Sequence, residues 1–217
     1  MHGSWLTTAA LAIGCLGGGL AAAQDAPRAE HPRPQMRRDA WQNLNGPWQF
    51  RFDPDDRGLA ESWFTPTTDY PRQITVPFCW ESALSGVADR SGQKIGWYRR
   101  TVVVPAEWNH QQIWLHFDAV DWSARVWVNG KEAGAHEGGY TPFALDVTSL
   151  AEPGKELTIV VRAKDATDPE LPLGKQIGHW YTSTSGIWQT VWLEARPPRH
   201  LASLRMTPKN DRDIWKL

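Results

Sequence analysis

Cysteine is scarce in this sequence, since only Cys15 and Cys79 occur in 217 residues. Cys15 lies in an N-terminal stretch that we expect to be removed, so the remaining chain has no partner for a disulfide and a disulfide-stapled fold is excluded. Cys79 would be the only candidate nucleophilic thiol. Between Phe78 and Trp80, however, a lone cysteine is more typical of a small buried apolar side chain.

An excess of charge of either sign is also missing, because 24 acidic residues balance 23 lysines and arginines. A formal net charge of −1 does not favour nucleic acid or an anionic membrane surface as a partner. No apolar run after the N-terminal stretch approaches the length of a membrane span. We therefore expect no nucleic-acid partner, and no membrane contact once that stretch is removed.

Motifs for metal, cofactor or triad chemistry are missing as well. His136 and Glu137 are followed by two glycines and a tyrosine, which is not the helical spacing of a zinc protease. No Gly-x-Ser-x-Gly occurs, and Asp118 and Asp121 flank a turn where surface capping is the simpler role. We predict no cofactor and no metal site, although a structural cation at a loop would leave no spacing signal.

The N-terminal 40 residues carry targeting features rather than a folded pattern. An apolar stretch from Trp5 to Leu20 is followed by three alanines, which predicts a signal peptide over residues 1–23 and a protein that is exported, to the periplasm or beyond. Residues 24–40 hold three prolines and four arginines with little apolar content, and they predict a disordered leader.

From Trp41 onwards, short runs rich in valine, isoleucine, tryptophan and threonine alternate with turn residues, which predicts an all-β jelly-roll sandwich. Asn129-Gly130 predicts a tight hairpin, and Leu59–Trp63 one short helix. The eight candidate strands are Trp48–Asp53, Gln73–Val76, Trp97–Val104, Gln112–Phe117, Ala124–Val128, Thr141–Asp146, Leu157–Ala163 and Ile187–Glu194.

Two further segments interrupt or follow this series. Lys164–Ser185 is too long for an ordinary connection in a compact domain, and its aromatic and amide groups favour a functional loop. After Arg199, the spacing of Leu201, Leu204 and Met206 predicts the first strand of another domain. Too few residues follow to fold such a domain, so we expect the chain to be a piece of a longer protein.

Fourteen tryptophans are the most unusual feature that the sequence does contain. Alternation along three candidate strands places aliphatic residues on one face and tryptophans on the other. A contiguous tryptophan face would be either a platform for sugar rings or a surface covered by further domains. We favour the covered surface, and the predicted domain interface consists of Trp114, Trp127, Trp188 and Trp192.

Six ordered motifs give the sequence a specific resemblance. They are Trp41-Gln-Asn-Leu-Asn-Gly-Pro-Trp48-Gln-Phe50, Val76-Pro77-Phe-Cys-Trp80, Gly96-Trp97-Tyr98-Arg99-Arg100, Asp121-Trp-Ser-Ala-Arg-Val-Trp127-Val-Asn129-Gly130, Gly134-Ala-His136-Glu-Gly138-Gly139-Tyr140-Thr-Pro142-Phe143 and Ser185-Gly186-Ile187-Trp188-Gln189-Thr-Val-Trp192-Leu193-Glu194. Together they resemble the N-terminal sugar-binding domain of glycoside hydrolase family 2, the β-galactosidase and β-glucuronidase family.

The resemblance implies a jelly-roll domain at residues 41–196, with 197–217 forming a linker and the incomplete first strand of an immunoglobulin-like domain. In the family a catalytic barrel follows, which hydrolyses glycosides with retention by means of two glutamates. The family's acid/base glutamate follows an asparagine, and no Asn-Glu pair occurs here. We therefore predict no catalytic residue in this chain and no turnover by the chain alone. Its partners would be a carbohydrate and, within one protein, the missing immunoglobulin-like and barrel domains.

The resemblance also bears on substrate contact. Better-known members carry a substrate-contacting aspartate six residues before the glycine of Ser-Gly-Ile, and here that position is Trp180. Polar neighbours and the Trp180 face predict a substitute contact set, Lys175, Gln176, His179, Trp180 and Tyr181. The equally weighted alternative is that this loop only packs on the barrel. For the whole chain, the alternatives are a stand-alone carbohydrate-binding module and a docking domain that never touches sugar.

Overall fold

The computed structural model describes residues 26–165, 181–211 and 214–216. These residues form antiparallel strands and short 3-10 helices at Pro34–Met36, Ala83–Ser85 and Ala106–Trp108, which confirms the all-β class. The strands are β1 (Trp41–Asn43), β2 (Gly46–Phe52), β3 (Arg72–Val76), β4 (Ile95–Val103), β5 (Gln112–Phe117), β6 (Val120–Asp121), β7 (Ser123–Val128), β8 (Lys131–Glu137), β9 (Phe143–Asp146), β10 (Glu156–Lys164), β11 (Gly186–Ile187), β12 (Val191–Arg196), β13 (Lys209–Asp211) and β14 (Ile214–Lys216).

Two antiparallel sheets make up the sandwich. One has the order β1-β12-β5-β9, and the other has the order β3-β2-β4-β10-β7-β8. A short ladder of β6 with β11 lies beside them, and β13 pairs separately with β14. Most neighbours in the two sheets are distant in sequence, which is the topology of the predicted jelly roll. In the described parts of the chain, no helix has the length and apolarity needed to cross a membrane.

Alternation along each strand sends one set of side chains into the space between the sheets. Ile113, Leu115 and Phe117 of β5 meet Val126 and the other inward residues of β7, β10 and β12 there. The largest fully buried members of this core are Trp48, Phe50, Trp80, Tyr98 and Phe117. Each such side chain contributes about 1.5–3 kcal/mol when it is fully buried, so the aliphatic face predicted from the sequence is the one that drives folding.

A second apolar cluster covers the outer face of the larger sheet. Phe64 stacks on Trp127 with centroids 5.1 Å apart, and Trp97 stacks on the same indole at 5.4 Å. The covering segment around Leu59–Trp63 forms turns rather than the predicted helix. The reason is local, since Ser62 adopts a left-handed conformation (φ 54°) that stops helical propagation after one turn.

The leader is ordered from residue 26, so the expectation of disorder over 24–40 is wrong for residues 26–40. His31 lies edge-on to Trp41 at 4.6 Å between centroids and also contacts Trp192. The guanidinium of Arg38 donates to the Glu194 carboxylate at 2.6 Å. Buried aromatic contact and a charged hydrogen bond thus hold a proline-rich, polar segment on the outer face of the smaller sheet.

The hairpin prediction is confirmed between β7 and β8. Asn129 and Gly130 both have positive φ, 50° and 77°, and Val128 pairs with Lys131 across the turn. The predicted strand Ile187–Glu194 instead divides into β11 and β12, which pair with different strands. Beyond Arg196, residues 201–208 form no strand, and the described β13–β14 pair begins only at Lys209. The strand predicted from Leu201, Leu204 and Met206 is therefore not formed in the described part of the chain.

Candidate functional site

Asp165 and Ser185 bring the two ends of the predicted functional loop together at one edge of the sandwich. Asp165 directly follows β10, and Ser185 directly precedes β11. The backbone N–H of Asp165 donates to the carbonyl of Lys94 at 2.8 Å, which fixes it beside the start of β4. Residues 166–180, between these two points, lie outside the described part of the chain.

Ser185 links two buried carboxyl groups. Its hydroxyl oxygen lies 2.6 Å from Oε1 of Glu81 and 2.7 Å from Oδ2 of Asp165, and its backbone N–H donates to Oε2 of Glu81 at 3.2 Å. Glu81 is only 7% exposed and Asp165 only 3%. The other carboxyl oxygen of Asp165, Oδ1, is buried and has no hydrogen-bond partner among the described residues. Glu81, Asp165 and Ser185 therefore form one hydrogen-bonded group, the acidic cluster.

Burial dominates the electrostatics of this acidic cluster. It raises the pKa of Glu81 and of Asp165, and the hydrogen bonds from Ser185 oppose that rise without cancelling it. Within the described ranges, no arginine, lysine or histidine forms an ion pair with either carboxyl group. The acidic cluster is thus a place where negative charge is disfavoured.

Gly186 allows the backbone to pass closely behind the acidic cluster. Its φ of +83° is in the left-handed region, and a Cβ there would overlap the Tyr98 hydroxyl and come within 2.9 Å of Trp80. The Tyr98 hydroxyl accepts a hydrogen bond from the Ile187 N–H at 3.4 Å, and burial strongly raises its pKa, so it is neutral. Only glycine fits between Ser185 and Ile187.

Aromatic side chains lie close to the acidic cluster in the chain, at Trp188 after β11 and at Tyr181 before Ser185. The Trp188 indole N–H donates to the Gly139 carbonyl at 2.8 Å, and Tyr140 meets the Trp188 ring edge-on at 6.0 Å. Tyr140 is 55% exposed and Tyr181 is 59% exposed. Apolar ring faces beside polar groups are the surface that sugar recognition requires.

The predicted substrate-contact residues fall mostly outside the described ranges. Lys175, Gln176, His179 and Trp180 are among residues 166–180, and only Tyr181 is described. Their role stays a prediction. Sequence reasoning missed Glu81, Asp165 and Ser185 as a cluster. The available signal was weak: each is a polar residue that abuts a buried aromatic or strand segment, and only the fold joins them.

The four tryptophans of the predicted domain interface do not share one face, so that expectation is wrong. Trp127 is on the outer face of the larger sheet, whereas Trp114 and Trp192 are on the outer face of the smaller one. Trp127 and Trp192 are buried within the domain itself. Alternation within a strand cannot reveal which sheet the strand joins. A contact with another domain stays a prediction for the half-buried Trp114 and Trp188.

Two other candidates have ordinary environments. Cys79 is half-buried, and burial together with the nearby Glu81 raises the pKa of its thiol, which is therefore not activated as a nucleophile. Within residues 26–165 and 181–211, no group of three histidine, cysteine or acidic side chains is arranged to hold a metal ion.

Residues 41–197 match the family model described as glycosyl hydrolases family 2, sugar binding domain. The chain belongs to glycoside hydrolase family 2. The boundaries of the family 2 match nearly coincide with those of the sandwich, which begins with β1 at Trp41 and ends with β12 at Arg196. The acidic cluster and the exposed aromatic residues therefore lie within the family's sugar-binding domain.

Relatives within family 2 carry glucuronidase and galactosidase names. A β-glucuronidase of Paenibacillus borealis is 36% identical over 121 residues, which are 55% of this chain and 20% of that protein. Human β-glucuronidase is 30% identical over an alignment of 247 positions, which covers 97% of this chain and 36% of that protein. A β-galactosidase of Priestia megaterium is 27% identical over 183 residues, 74% of this chain and 17% of that protein. The chain thus spans 17% to 36% of the length of these relatives.

Solved family 2 structures share the fold. Lactobacillus rhamnosus β-glucuronidase superposes with a TM-score of 0.64 at 32% identity, over 75% of this chain and 30% of that one. A Ruminococcus gnavus β-glucuronidase, solved in complex with D-glucuronic acid, gives a TM-score of 0.65 at 28% identity, over 75% of this chain and 31% of that one.

Proposed function

We propose that this protein is the non-catalytic, sugar-contacting domain of an exported, retaining β-glucuronidase-like hydrolase of family 2. The observation that carries the proposal is the family match over residues 41–197, together with relatives and solved structures that are largely named β-glucuronidases. A glucuronide is the preferred substrate class, since one of those structures holds D-glucuronic acid. A galactoside is the second candidate, favoured by the Priestia megaterium relative.

The geometry supports a contact role for the segment after Asp165. Ser185, which follows it, is held by short hydrogen bonds to Glu81 and to Asp165, which precedes it, and the side chains of Tyr140 and Tyr181 are exposed. A binding segment on a rigid base is the usual arrangement in which a β-sandwich supplies a substrate contact. Lys175, Gln176, His179 and Trp180 would then contact the glycoside bound in the barrel.

The absence of an Asn-Glu pair supports a non-catalytic role. The purified chain should not hydrolyse a chromogenic β-D-glucuronide or β-D-galactoside. A chimera in which this domain replaces the corresponding domain of Ruminococcus gnavus β-glucuronidase tests the positive part. It should cleave the glucuronide, with kcat/KM within about tenfold of the parent enzyme.

Each competing function predicts a different result. Hydrolysis by the chain alone would overturn the non-catalytic role. Millimolar or tighter sugar binding by the chain alone, measured by calorimetry, would favour a stand-alone binding module. Chimera kinetics that stay unchanged when both Gln176 and Trp180 are replaced by alanine would favour a docking domain without sugar contact.

Export is tested separately, because it depends on residues 1–23, which lie outside the described ranges. Expression from the natural start in a bacterial host should place the protein outside the cytoplasm, with Gln24 as its first residue by N-terminal sequencing. Retention of Met1 on a cytoplasmic product would contradict export.

A further inference from the structure

We propose that Asp165 is a neutral carboxylic acid at neutral pH. Its carboxyl proton is donated in a hydrogen bond to Ser185, whose hydroxyl in turn donates to an ionised Glu81. These hydrogen bonds join the two residues that flank segment 166–180. The first step is a count of protons. A serine hydroxyl carries one proton, yet the Ser185 oxygen is within 2.7 Å of a carboxyl oxygen on each side. Ser185 can donate to only one of them, so the other carboxyl group must donate to Ser185.

The donors around each carboxyl group decide which one keeps the proton. Glu81 receives the Ser185 backbone N–H at 3.2 Å in addition to the hydroxyl contact, and it also has the Cys79 thiol beside it. Among the described residues, the Asp165 carboxyl group has only the Ser185 contact, and its Oδ1 is buried with no hydrogen-bond partner there. Hydrogen-bond donors stabilise the charged form, so Glu81 is the ionised member and Asp165 the neutral one. The chain of donation therefore runs from Asp165 Oδ2 to Ser185 Oγ and from Ser185 Oγ to Glu81 Oε1.

Among the described residues, the other groups that face this chain of donation provide no cation. Cys79 lies beside Glu81 and Tyr98 behind Gly186, and burial keeps both of them in their neutral forms. Asp121, whose backbone pairs with Gly186, turns its carboxylate towards Gly139. Lys94 contributes only its backbone carbonyl, and its own side chain is exposed. Among the described residues, it is therefore a bound proton that neutralises one of the two carboxyl groups.

The pH dependence of stability follows from comparing how the folded and the unfolded chain bind the Asp165 proton. The unfolded chain releases it near the ordinary pKa of 3.8, whereas the folded protein, in which burial raises this pKa, keeps it to higher pH. As pH rises between these two values, the unfolded state binds fewer protons than the folded state, so stability falls. Above the folded pKa the acidic cluster would hold two negative charges, and the connection between Asp165 and Ser185 would be lost.

Asp165→Asn separates this proposal from a simple buried ion, because the amide N–H can donate to Ser185 at every pH. Its Tm should exceed that of the wild-type chain by about 3 °C near pH 8, and the difference should shrink as pH falls towards the ordinary aspartate pKa. Asp39→Asn is the matched control: Asp39 is exposed, and its replacement should leave the pH profile unchanged. A Tm for Asp165→Asn that is lower than wild type by the same amount at every pH overturns the proposal.

Infrared spectroscopy of the wild-type chain gives a second, direct readout. With carboxyl-labelled aspartate, the carbonyl stretch of one protonated acid should be present near pH 7 and absent in Asp165→Asn. Glu81→Gln should also remove it, because Asp165 is then free to ionise and to accept from Ser185. If the wild-type band is missing and EDTA lowers the Tm, a cation replaces the proton and the proposal is wrong. Neither measurement depends on the proposed function, so the two proposals fail separately.

Discussion

Glu194 and Asp165 are removed from solvent to the same extent, at 2% and 3% exposure, but the protein compensates their carboxyl groups in opposite ways. Glu194, on the smaller sheet, accepts from Arg38 and from Arg196, both at 2.6 Å. Asp165, at the edge of the larger sheet, has a serine hydroxyl and no ion pair within the described ranges. A paired carboxylate holds two parts of a fold together, whereas an unpaired one is held by protonation and therefore responds to pH.

The comparison separates two regions of the domain by how their buried carboxyl groups are compensated. The arginine pairs of Glu194 attach the leader and the end of β12 to one sheet, and Arg38 also donates to the Leu201 carbonyl at 2.7 Å. The acidic cluster lies where the predicted sugar-contacting segment begins and ends. Charge pairing thus serves architecture on one face, and the uncompensated polar groups lie at the candidate site.

Glu194→Gln should be the most damaging of the changes considered, because it leaves two partly buried guanidinium groups without their anion. Breaking a buried ion pair costs about 3–5 kcal/mol, or a fall in Tm of about 6–20 °C for a domain of this size. Glu132→Gln is the matched control, since it breaks the exposed Arg125–Glu132 pair at 2.6 Å and should cost less than about 1 kcal/mol. Thermal unfolding of both variants measures the difference. A Glu194→Gln protein that is as stable as wild type would contradict the claim that the ion pairs of Glu194 stabilise the fold.

Gly186→Ala should follow, at about 3 kcal/mol, because the added Cβ collides with Tyr98 and Trp80 in addition to straining a positive φ. Gly92→Ala isolates the strain, since Gly92 has the same kind of φ, +81°, and nothing within 4 Å of an added Cβ. It should cost about 1 kcal/mol. Chemical denaturation gives both values, and equal losses would show that close packing behind the acidic cluster is unimportant.

Acid should weaken the Glu194 side of the molecule. Burial, followed by the charge of Arg196, lowers the pKa of His116 to about 3, and the ring accepts from Arg196 at 2.8 Å. Unfolded histidine takes up its proton near pH 6.5 while the folded ring stays neutral, so stability falls as pH drops below that value. The loss reaches about 2 kcal/mol near pH 5.

His116→Gln tests this assignment, because glutamine can accept from Arg196 but cannot titrate. Its unfolding free energy should depend less on pH between about 6.5 and 4 than that of wild type. His110→Asn, at an exposed position, should keep the wild-type slope. An unchanged slope in His116→Gln would assign the acid sensitivity elsewhere, for example to His31, whose pKa burial also lowers.

Local sequence patterns predicted the parts of the fold that depend on neighbours in the chain. Alternation identified the inward residues of β5, β7 and β12, and Asn129-Gly130 identified the β7–β8 turn, because both depend on backbone geometry over a few residues. The pattern could not assign strands to sheets, since that depends on pairings between distant segments. For this reason the tryptophans were expected on one face, although Trp127 and Trp192 belong to opposite faces.

Both compared carboxyl clusters were also beyond local reasoning. The leader resembled a disordered segment in composition, and its order comes from Arg38 reaching Glu194, 156 positions away. Glu81 and Ser185 are separated by 104 positions. A polar residue whose only partners are distant in sequence has the same local pattern as an exposed one. The family motifs did indicate the segment between Asp165 and Ser185. The predicted sugar-contact residues lie in that segment.

The smallest expected effect concerns that segment and links the acidic cluster to function. In an intact family 2 enzyme carrying this domain, Gln176→Ala should lower kcat/KM for a glucuronide about tenfold, equivalent to about 1.4 kcal/mol, by removing a hydrogen bond to the sugar. Gln111→Ala is the control, because Gln111 lines the same cavity as Arg38, on the Glu194 side. Unchanged kinetics in Gln176→Ala would favour a loop that only packs on the barrel. A tenfold loss of kcat/KM in Gln176→Ala, without a change in Tm, would connect the segment beside the acidic cluster to the substrate. The same loss in Gln111→Ala would contradict that connection.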